Sequence, residues 1–220
     1  MFATGMPDPA VVIVSFALLG LAPFVAVMVT SFAKLVVVMS LVRNALGVQQ
    51  VPPNMVLNGL ALVLSLYVMA PVVQDVQTAA QAQIKPGQGV GGAQVFDMLG
   101  AAREPLRAFL GKHAQPAERE FFVRSAARIW PKEKAEALTR DDLLVLVPAF
   151  TVSELTAAFK IGLLLYIVFV VIDLVVASIL VALGMMMFSP TVVSVPLKLL
   201  LFVMLDGWSK LVHGLILTYQ

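Results

Sequence analysis

Asp173 is the only acid in the apolar stretch from Ile161 to Met187. On insertion scales a carboxylate at the centre of a membrane helix costs about 2.5–3.5 kcal/mol, so such a group faces a protein interior or an aqueous path. A proton relay, a contact between subunits and an ion pair inside the chain all meet that requirement. Lys160, Lys198 and Lys210 are the candidate partners. The stretch from Val192 to Leu217 is equally apolar and carries Lys198, Asp206, Lys210 and His213. Asp206 and Lys210 stand four apart with the acid first, the favourable order for a helical ion pair, and Lys198 lies near the same face. A helix with these charges is a poor lipid-facing span and belongs inside an oligomer or out of the bilayer plane. Asp173, Lys198, Asp206 and Lys210 are therefore candidates for inter-helix or inter-subunit charge pairing.

Met185, Met186 and Met187 follow Gly184 and precede Phe188-Ser189-Pro190, a break between two apolar runs. Methionine is unbranched and deformable, so three in a row serve either as core filler or as a constriction that excludes water from a pore. Gly87 to Gly92 spells G-x-G-x-x-G. The dinucleotide fingerprint needs a strand before it and a helix after it in a βαβ unit, but a Gln/Ala-rich helical stretch precedes this one. No P-loop is present, and no nucleophile–base arrangement stands out. There is no cysteine, and His113 and His213 share no metal-ligand spacing. These residues call for no catalytic site, cofactor or metal, and the chain reads as a non-enzyme.

The elements that must position these residues follow from composition. Apolar residues make up 60% of the 220-residue chain and charged residues 13%, with mean hydropathy +0.95. Soluble domains carry about 45–50% and about 25%, so this is a membrane protein. The first apolar segment runs from Ala10 to Val29 and resumes from Leu35 to Val42, with Pro23 as the expected kink. The first Lys or Arg is Lys34, so the opening run lacks the positive n-region of a signal peptide and reads as a retained segment. A turn-rich stretch, Arg43 to Asn54, leads to a second segment from Met55 to Val73. Residues 1–76 thus form an N-terminal hydrophobic helical hairpin.

Residues 77–156 change character. Ten of the fifteen Lys/Arg lie between Thr78 and Ala157, interleaved with nine of the thirteen acids. That mixture marks a solvated surface and lacks the single-sign patch that nucleic acid requires. Lys85 to Gly92 reads as a flexible linker. Beyond it Phe96, Leu99, Leu106 and Leu110, with Arg103 as the polar exception, keep helical spacing, as do Phe122, Ala126, Ile129 and Trp130. Pro116 suits a first helical turn. Thr139 to Asp142 and Thr151 to Glu154 have capping-box spacing. Residues 157–220 form a second hydrophobic hairpin joined by the Met-rich connection. The expected fold is an all-α membrane protein in which two helical hairpins flank a small helical soluble insert. Lys34 and Arg43 flank the first connection, placing it in the cytoplasm and the insert in the periplasm by the positive-inside tendency.

Three strings resemble a known family. The first is Thr30-Ser31-Phe32-Ala33-Lys34, continuing through Arg43-Asn44-Ala45-Leu46-Gly47-Val48-Gln49-Gln50-Val51-Pro52-Pro53-Asn54 to Leu57-Asn58-Gly59-Leu60-Ala61-Leu62. The second is Pro148-Ala149-Phe150 with Ser153-Glu154-Leu155 and Ala158-Phe159. The third runs from Ile172-Asp173-Leu174 through Met185-Met186-Met187-Phe188-Ser189-Pro190 to Pro196-Leu197-Lys198 and Asp206-Gly207-Trp208. Together they are similar to the SctR/FliP family of type III secretion export apparatus proteins over nearly the whole chain, the insert excepted. The missing n-region looks more like the injectisome branch than the flagellar one.

The resemblance implies a core export-gate subunit in the bacterial inner membrane, several copies of which, a pentamer, assemble into a helical hollow oligomer. SctS-like and SctT-like proteins, the inner rod and needle, exported unfolded proteins and membrane lipid are the implied partners. It also implies that Met185, Met186 and Met187 form a gasket closing the pore, and that the assembly is largely lifted from the bilayer. The competing reading is a secondary transporter or ion channel with Asp173 as its coupling site; the inverted repeats that would support it are not evident between the hairpins. A membrane enzyme lacks convergent catalytic groups. A pure scaffold differs from a gate only in whether the Met run lines the path.

Overall fold

The computed structural model describes residues 9–83 and 92–220. The described residues are helical and contain no strand: α1 (Pro9–Val29), α2 (Phe32–Ala45), α3 (Asn54–Gln83), α4 (Gly92–His113), α5 (Pro116–Ile129), α6 (Lys132–Glu136), α7 (Leu143–Ala182), α8 (Thr191–Met204) and α9 (Gly207–Leu217). The expected all-α class is the observed one. The Lys85 to Gly92 linker and the glycine-rich fingerprint lie outside the described residues except for Gly92, which opens α4.

Several boundaries differ from expectation for local reasons. Pro23 lies inside α1, and the chain leaves the helix at Thr30–Ser31 instead. The second apolar segment runs on past Val73 as a 30-residue helix, α3, with Pro71 inside it. The third apolar element is a 40-residue helix, α7, that begins at Leu143 and takes in the Thr151–Glu154 sequence. That sequence is therefore no cap: Thr151 Oγ1 bonds back to Val147 O at 2.8 Å, one turn earlier. Thr139 and Asp142 do bond, with Asp142 Oδ2 accepting from Thr139 N at 2.7 Å and from Thr139 Oγ1 at 2.9 Å. Asp142 itself opens α7, its carbonyl accepting from Val145 N and Leu146 N, so the pair closes a turn ahead of the helix and not the expected capping box. The last apolar segment is two helices, α8 and α9, bent by 62° at Leu205–Asp206.

By length and composition α3 and α7 can each cross a membrane, and the broken pairs α1–α2 and α8–α9 raise the number of candidate spans to four.

The chain packs as two compact units. One comprises residues 1–30 and 69–153, the other 31–68 and 154–220. In the first, Leu110, Leu146, Ala149 and Phe150 are buried, and the Phe109 and Phe150 rings meet at 5.6 Å. Pro116 occupies the first turn of α5 as expected, and Gln115 N, ahead of it, donates to Ser153 Oγ at 2.9 Å. Ala126 of the α5 face is buried, but Ile129 and Trp130 are exposed, because the helix stops at Ile129 and Trp130 is already extended. Ion pairs such as Arg124–Glu120 lie on the surface, where each contributes about 1 kcal/mol or less.

In the second unit α2 supplies the centre. Leu35, Val38, Met39, Val42 and Leu46 recur at helical spacing and are all buried, joined by Leu57 and Ala61 of α3, Ala158 and Phe169 of α7 and Leu215 of α9. Between apolar helices in lipid, close packing replaces water exclusion as the source of attraction, and small residues allow it. Gly162 is such a residue: a Cβ there would come within 2.3 Å of Leu41 Cδ1, so α2 and α7 touch at that point.

Candidate functional site

Two buried charge clusters and one exposed loop define the second unit. Lys198 on α8 is almost fully buried. Its ammonium donates to Asp173 Oδ2 on α7 at 2.5 Å and to Ala45 O, in the last residue of α2, at 3.1 Å. The carbonyls ending a helix carry the negative end of its dipole, so two negative groups from two helices receive one cation from a third. The pair is asymmetric: the Lys198 side chain is 4% exposed and that of Asp173 40%. Asp173 Oδ1 and Ser194 Oγ are closed off from solvent and have no hydrogen-bond partner among the described residues. Both residues line a recess of about 560 Å³ shared with Asn44, Gln49, Tyr166 and Thr191. A residue inserted into this packing is not tolerated freely: a Cβ at Gly47, which has φ +77°, would come within 2.8 Å of Val195 Cγ2 on α8.

Of the three lysines that could serve Asp173, the chain brings up Lys198. Asp206 and Lys210 form no ion pair among the described residues. Asp206 is the N-cap of α9, in left-handed conformation with φ 52°, so the bend takes it out of the helix whose regular spacing would have paired them. Lys210 is exposed, and its ammonium makes no hydrogen bond or ion pair among the described residues. His213 is exposed, while His113 is half-buried against the Phe109 ring at 4.8 Å.

The second cluster is one that spacing did not announce. Lys34 on α2 donates to Glu154 Oε1 on α7 at 3.1 Å, 120 residues away, and both are buried. The Tyr219 hydroxyl donates to the other carboxylate oxygen, and the Lys34 ammonium lies 3.6 Å from the Tyr219 ring centroid. Burial, with the Glu154 charge as the second cause, pushes the Tyr219 phenol well above its ordinary range. One turn before Lys34, Ser31 Oγ donates to Ser65 Oγ of α3 at 3.1 Å. The available signal was a lone lysine, Lys34, in an apolar segment; it calls for an acid, but does not say which.

The loop is Met185 to Pro190. Gly184 has φ 76°, Gly184 N donates to Val181 O at 3.0 Å and Met185 N to Leu180 O at 2.9 Å. This bond pair is the Schellman stop, which requires a left-handed residue and favours glycine. The three methionines therefore leave the helix together. Met185 is 42% exposed, Met186 77%, and Met187 has no cover at all from the chain. Among the described residues no group of three His, Cys, Asp or Glu could hold a metal.

Among the described residues, long apolar helices and buried charges neutralised in pairs define a helical protein with two helices, or up to four spans if each bent pair counts as one, long and apolar enough to cross a membrane. The chain belongs to the FliP family, which it matches over residues 15–215, and this is the SctR/FliP family that its motif strings resemble. It is 57% identical over 216 residues, 98% of this chain and 99% of the relative, to a Xanthomonas campestris pv. glycines protein named pathogenicity-related ORF2. To the hypersensitivity response secretion protein HrcR of Ralstonia nicotianae it is 54% identical over 96% of this chain and 97% of the relative. Yop proteins translocation protein R of Yersinia pestis is 53% identical over 97% of this chain and 98% of that protein.

Proposed function

We propose that the chain is the core subunit of the export gate of a type III secretion apparatus, in which Met185, Met186 and Met187 close the path taken by unfolded protein substrates. A role in protein secretion follows from its family and from relatives named for secretion and translocation. The observation that carries the finer reading is the loop. Three consecutive methionines are presented on a Schellman stop with their side chains uncovered, and a water-excluding apolar constriction holds ions back while unbranched thioethers bend around a passing chain.

Several copies, as a pentamer with SctS-like and SctT-like proteins, set these loops around a common axis in the bacterial inner membrane. The assembly then serves as the base for the rod and needle. Residues 77–156, with their mixed surface charge, are the periplasmic insert in this arrangement, Lys34 lies at its end of the helices because it pairs with Glu154, and Arg43 marks the cytoplasmic side. The hydrophobic hairpins of residues 1–76 and 157–220 meet lipid or neighbouring copies. Asp173, with Lys198 against it, serves as a structural pair rather than a coupling site.

The test replaces Met185, Met186 and Met187 together by Ala in cells that assemble the apparatus, and follows ion and small-dye entry. The gate reading expects leakage with the complex still assembled; unchanged permeability in an intact complex would sink it. Native mass spectrometry of the detergent-extracted chain co-expressed with SctS-like and SctT-like neighbours tests the composition. A monomer or dimer that ignores both neighbours is the adverse result.

A further inference from the structure

We infer that Met186 and Met187 are an oxidant-sensitive modification site, at which a peroxide converts the thioethers to sulfoxides and breaks the seal of the loop. The effect on the seal rests on the gate reading above, whereas the chemistry at the two sulfurs does not.

The chain has no cysteine, so no thiol competes for an oxidant and the methionines carry all of its sulfur. A thioether has no proton to lose, so access to its sulfur sets the rate at which it is oxidised. Met39 and Met69 are buried. Met28 and Met204 are exposed but lie in the broken helix pairs that match a span in length and composition. Met55 is exposed in the first turn of α3, which can itself cross a membrane. Among the described methionines only Met185, Met186 and Met187 stand outside a helix, because the stop at Gly184 ends α7 ahead of all three. Met187 exceeds every one of the others above in exposure, and Met186 all but Met55.

The reaction needs one co-reactant, a peroxide. The sulfur lone pair attacks a peroxide oxygen and the O–O bond breaks. That oxygen stays on sulfur, and its proton passes to the departing hydroxide, which leaves as water. Sulfur is oxidised and the peroxide reduced by the same electron pair. The product is polar and chiral where the thioether was flexible and apolar, and methionine sulfoxide reductases reverse it. An apolar constriction holds ions back only while it excludes water, so sulfoxides on the loop admit water to it. Leucine is close to methionine in volume and equally apolar but cannot be oxidised, so exclusion of water alone does not call for sulfur. Hydrogen peroxide is little larger than water and approaches the loop from the aqueous mouth of the path.

Cells that assemble the apparatus are given pulses of hydrogen peroxide. The extracted chain is then mapped by peptide mass spectrometry, and dye entry is followed in parallel. Met186 and Met187 are expected to gain an oxygen at least about fivefold faster than Met28, Met39, Met69 and Met204. Dye entry should rise about threefold or more over untreated cells. The chain carrying Met185→Leu, Met186→Leu and Met187→Leu, measured against its own untreated baseline, should show no such rise. That comparison separates the loop from Met55 and from general oxidative damage, while the peptide map of the natural chain needs no variant. Oxidation of Met186 and Met187 no faster than that of Met28 and Met204 overturns the proposal whatever the dye does. A rise in dye entry that persists in the Leu-bearing chain overturns it as well. If the three Ala replacements leak and an oxidised loop does not, the gate stands and the proposal is wrong. If neither leaks, the gate reading has itself failed and the effect on the seal falls with it.

Discussion

Lys198 reaches Asp173 and the last carbonyl of α2, at Ala45, with the same ammonium group, so one side chain joins α2, α7 and α8. Its burial and the half-exposure of Asp173 make the two partners unequal. Removing Asp173 strands a buried cation, whereas removing Lys198 leaves a carboxylate that water partly reaches. Breaking a buried pair costs about 3–5 kcal/mol. Asp173→Asn is expected near the lower end of that range, and Lys198→Met below it. Asp173→Asn with Lys198→Met together should recover at least half of the single-variant loss, because a neutral pair needs no desolvated charge. Thermal unfolding of all four proteins in one detergent checks this, and strict additivity would contradict it.

The Lys34–Glu154–Tyr219 cluster is buried on both charged members. Glu154→Gln leaves Lys34 without a counter-charge and is expected to cost about 3–5 kcal/mol. Tyr219→Phe keeps the ring over Lys34 and loses only the hydroxyl hydrogen bond to Glu154, for about 1.5–3 kcal/mol. The order of the two losses, again read by thermal unfolding, is the test.

Gly184 and the methionines it presents should respond in opposite ways. A Cβ at φ 76° costs roughly 1–2 kcal/mol, so Gly184→Ala should destabilise the detergent-solubilised chain by that amount. Met187→Ala removes a fully exposed side chain and should stay within about 0.5 kcal/mol. A large loss for Met187→Ala in the isolated chain would mean that the loop packs on itself.

Asp142 supplies a pH dependence. Hydrogen bonds from the Thr139 N–H, first, and the Thr139 hydroxyl, second, hold its carboxyl below the ordinary carboxylate range. A folded value below the unfolded one means the stabilisation is complete above the ordinary range, near pH 4, and is lost as pH falls through the depressed folded value. Amide exchange at Thr139 should therefore accelerate on acidification relative to its neighbours, and Asp142→Ala should remove that extra acceleration. Equal acid profiles for the two proteins would refute it.

The helical class, the apolar segments and the Thr139–Asp142 contact were legible because they rest on composition and short-range spacing. The breaks were not. Pro23 is a strong local signal, yet α1 runs through it and ends at Val29, just before Ser31 bonds to Ser65 of another helix. The spacing of Asp206 and Lys210 assumes a continuous helix, and the turn at Asp206 removes it. Lys34 announces that an acid is needed, but its choice of Glu154 is decided by the packing of α2 on α7. Sequence likewise offers Asp173 three lysines, and the choice falls to the one that can also cap α2.

The 120 residues between Lys34 and Glu154 have a consequence for biosynthesis. At about 5–20 residues per second, Lys34 leaves the ribosome on the order of ten seconds before its acid does, and Tyr219 follows 65 residues after that. In that interval the lysine stands without a counter-ion in a segment bound for the membrane. The early segments therefore reach their final state only when later ones arrive, and a chain interrupted before α7 carries an uncompensated charge that quality control can recognise.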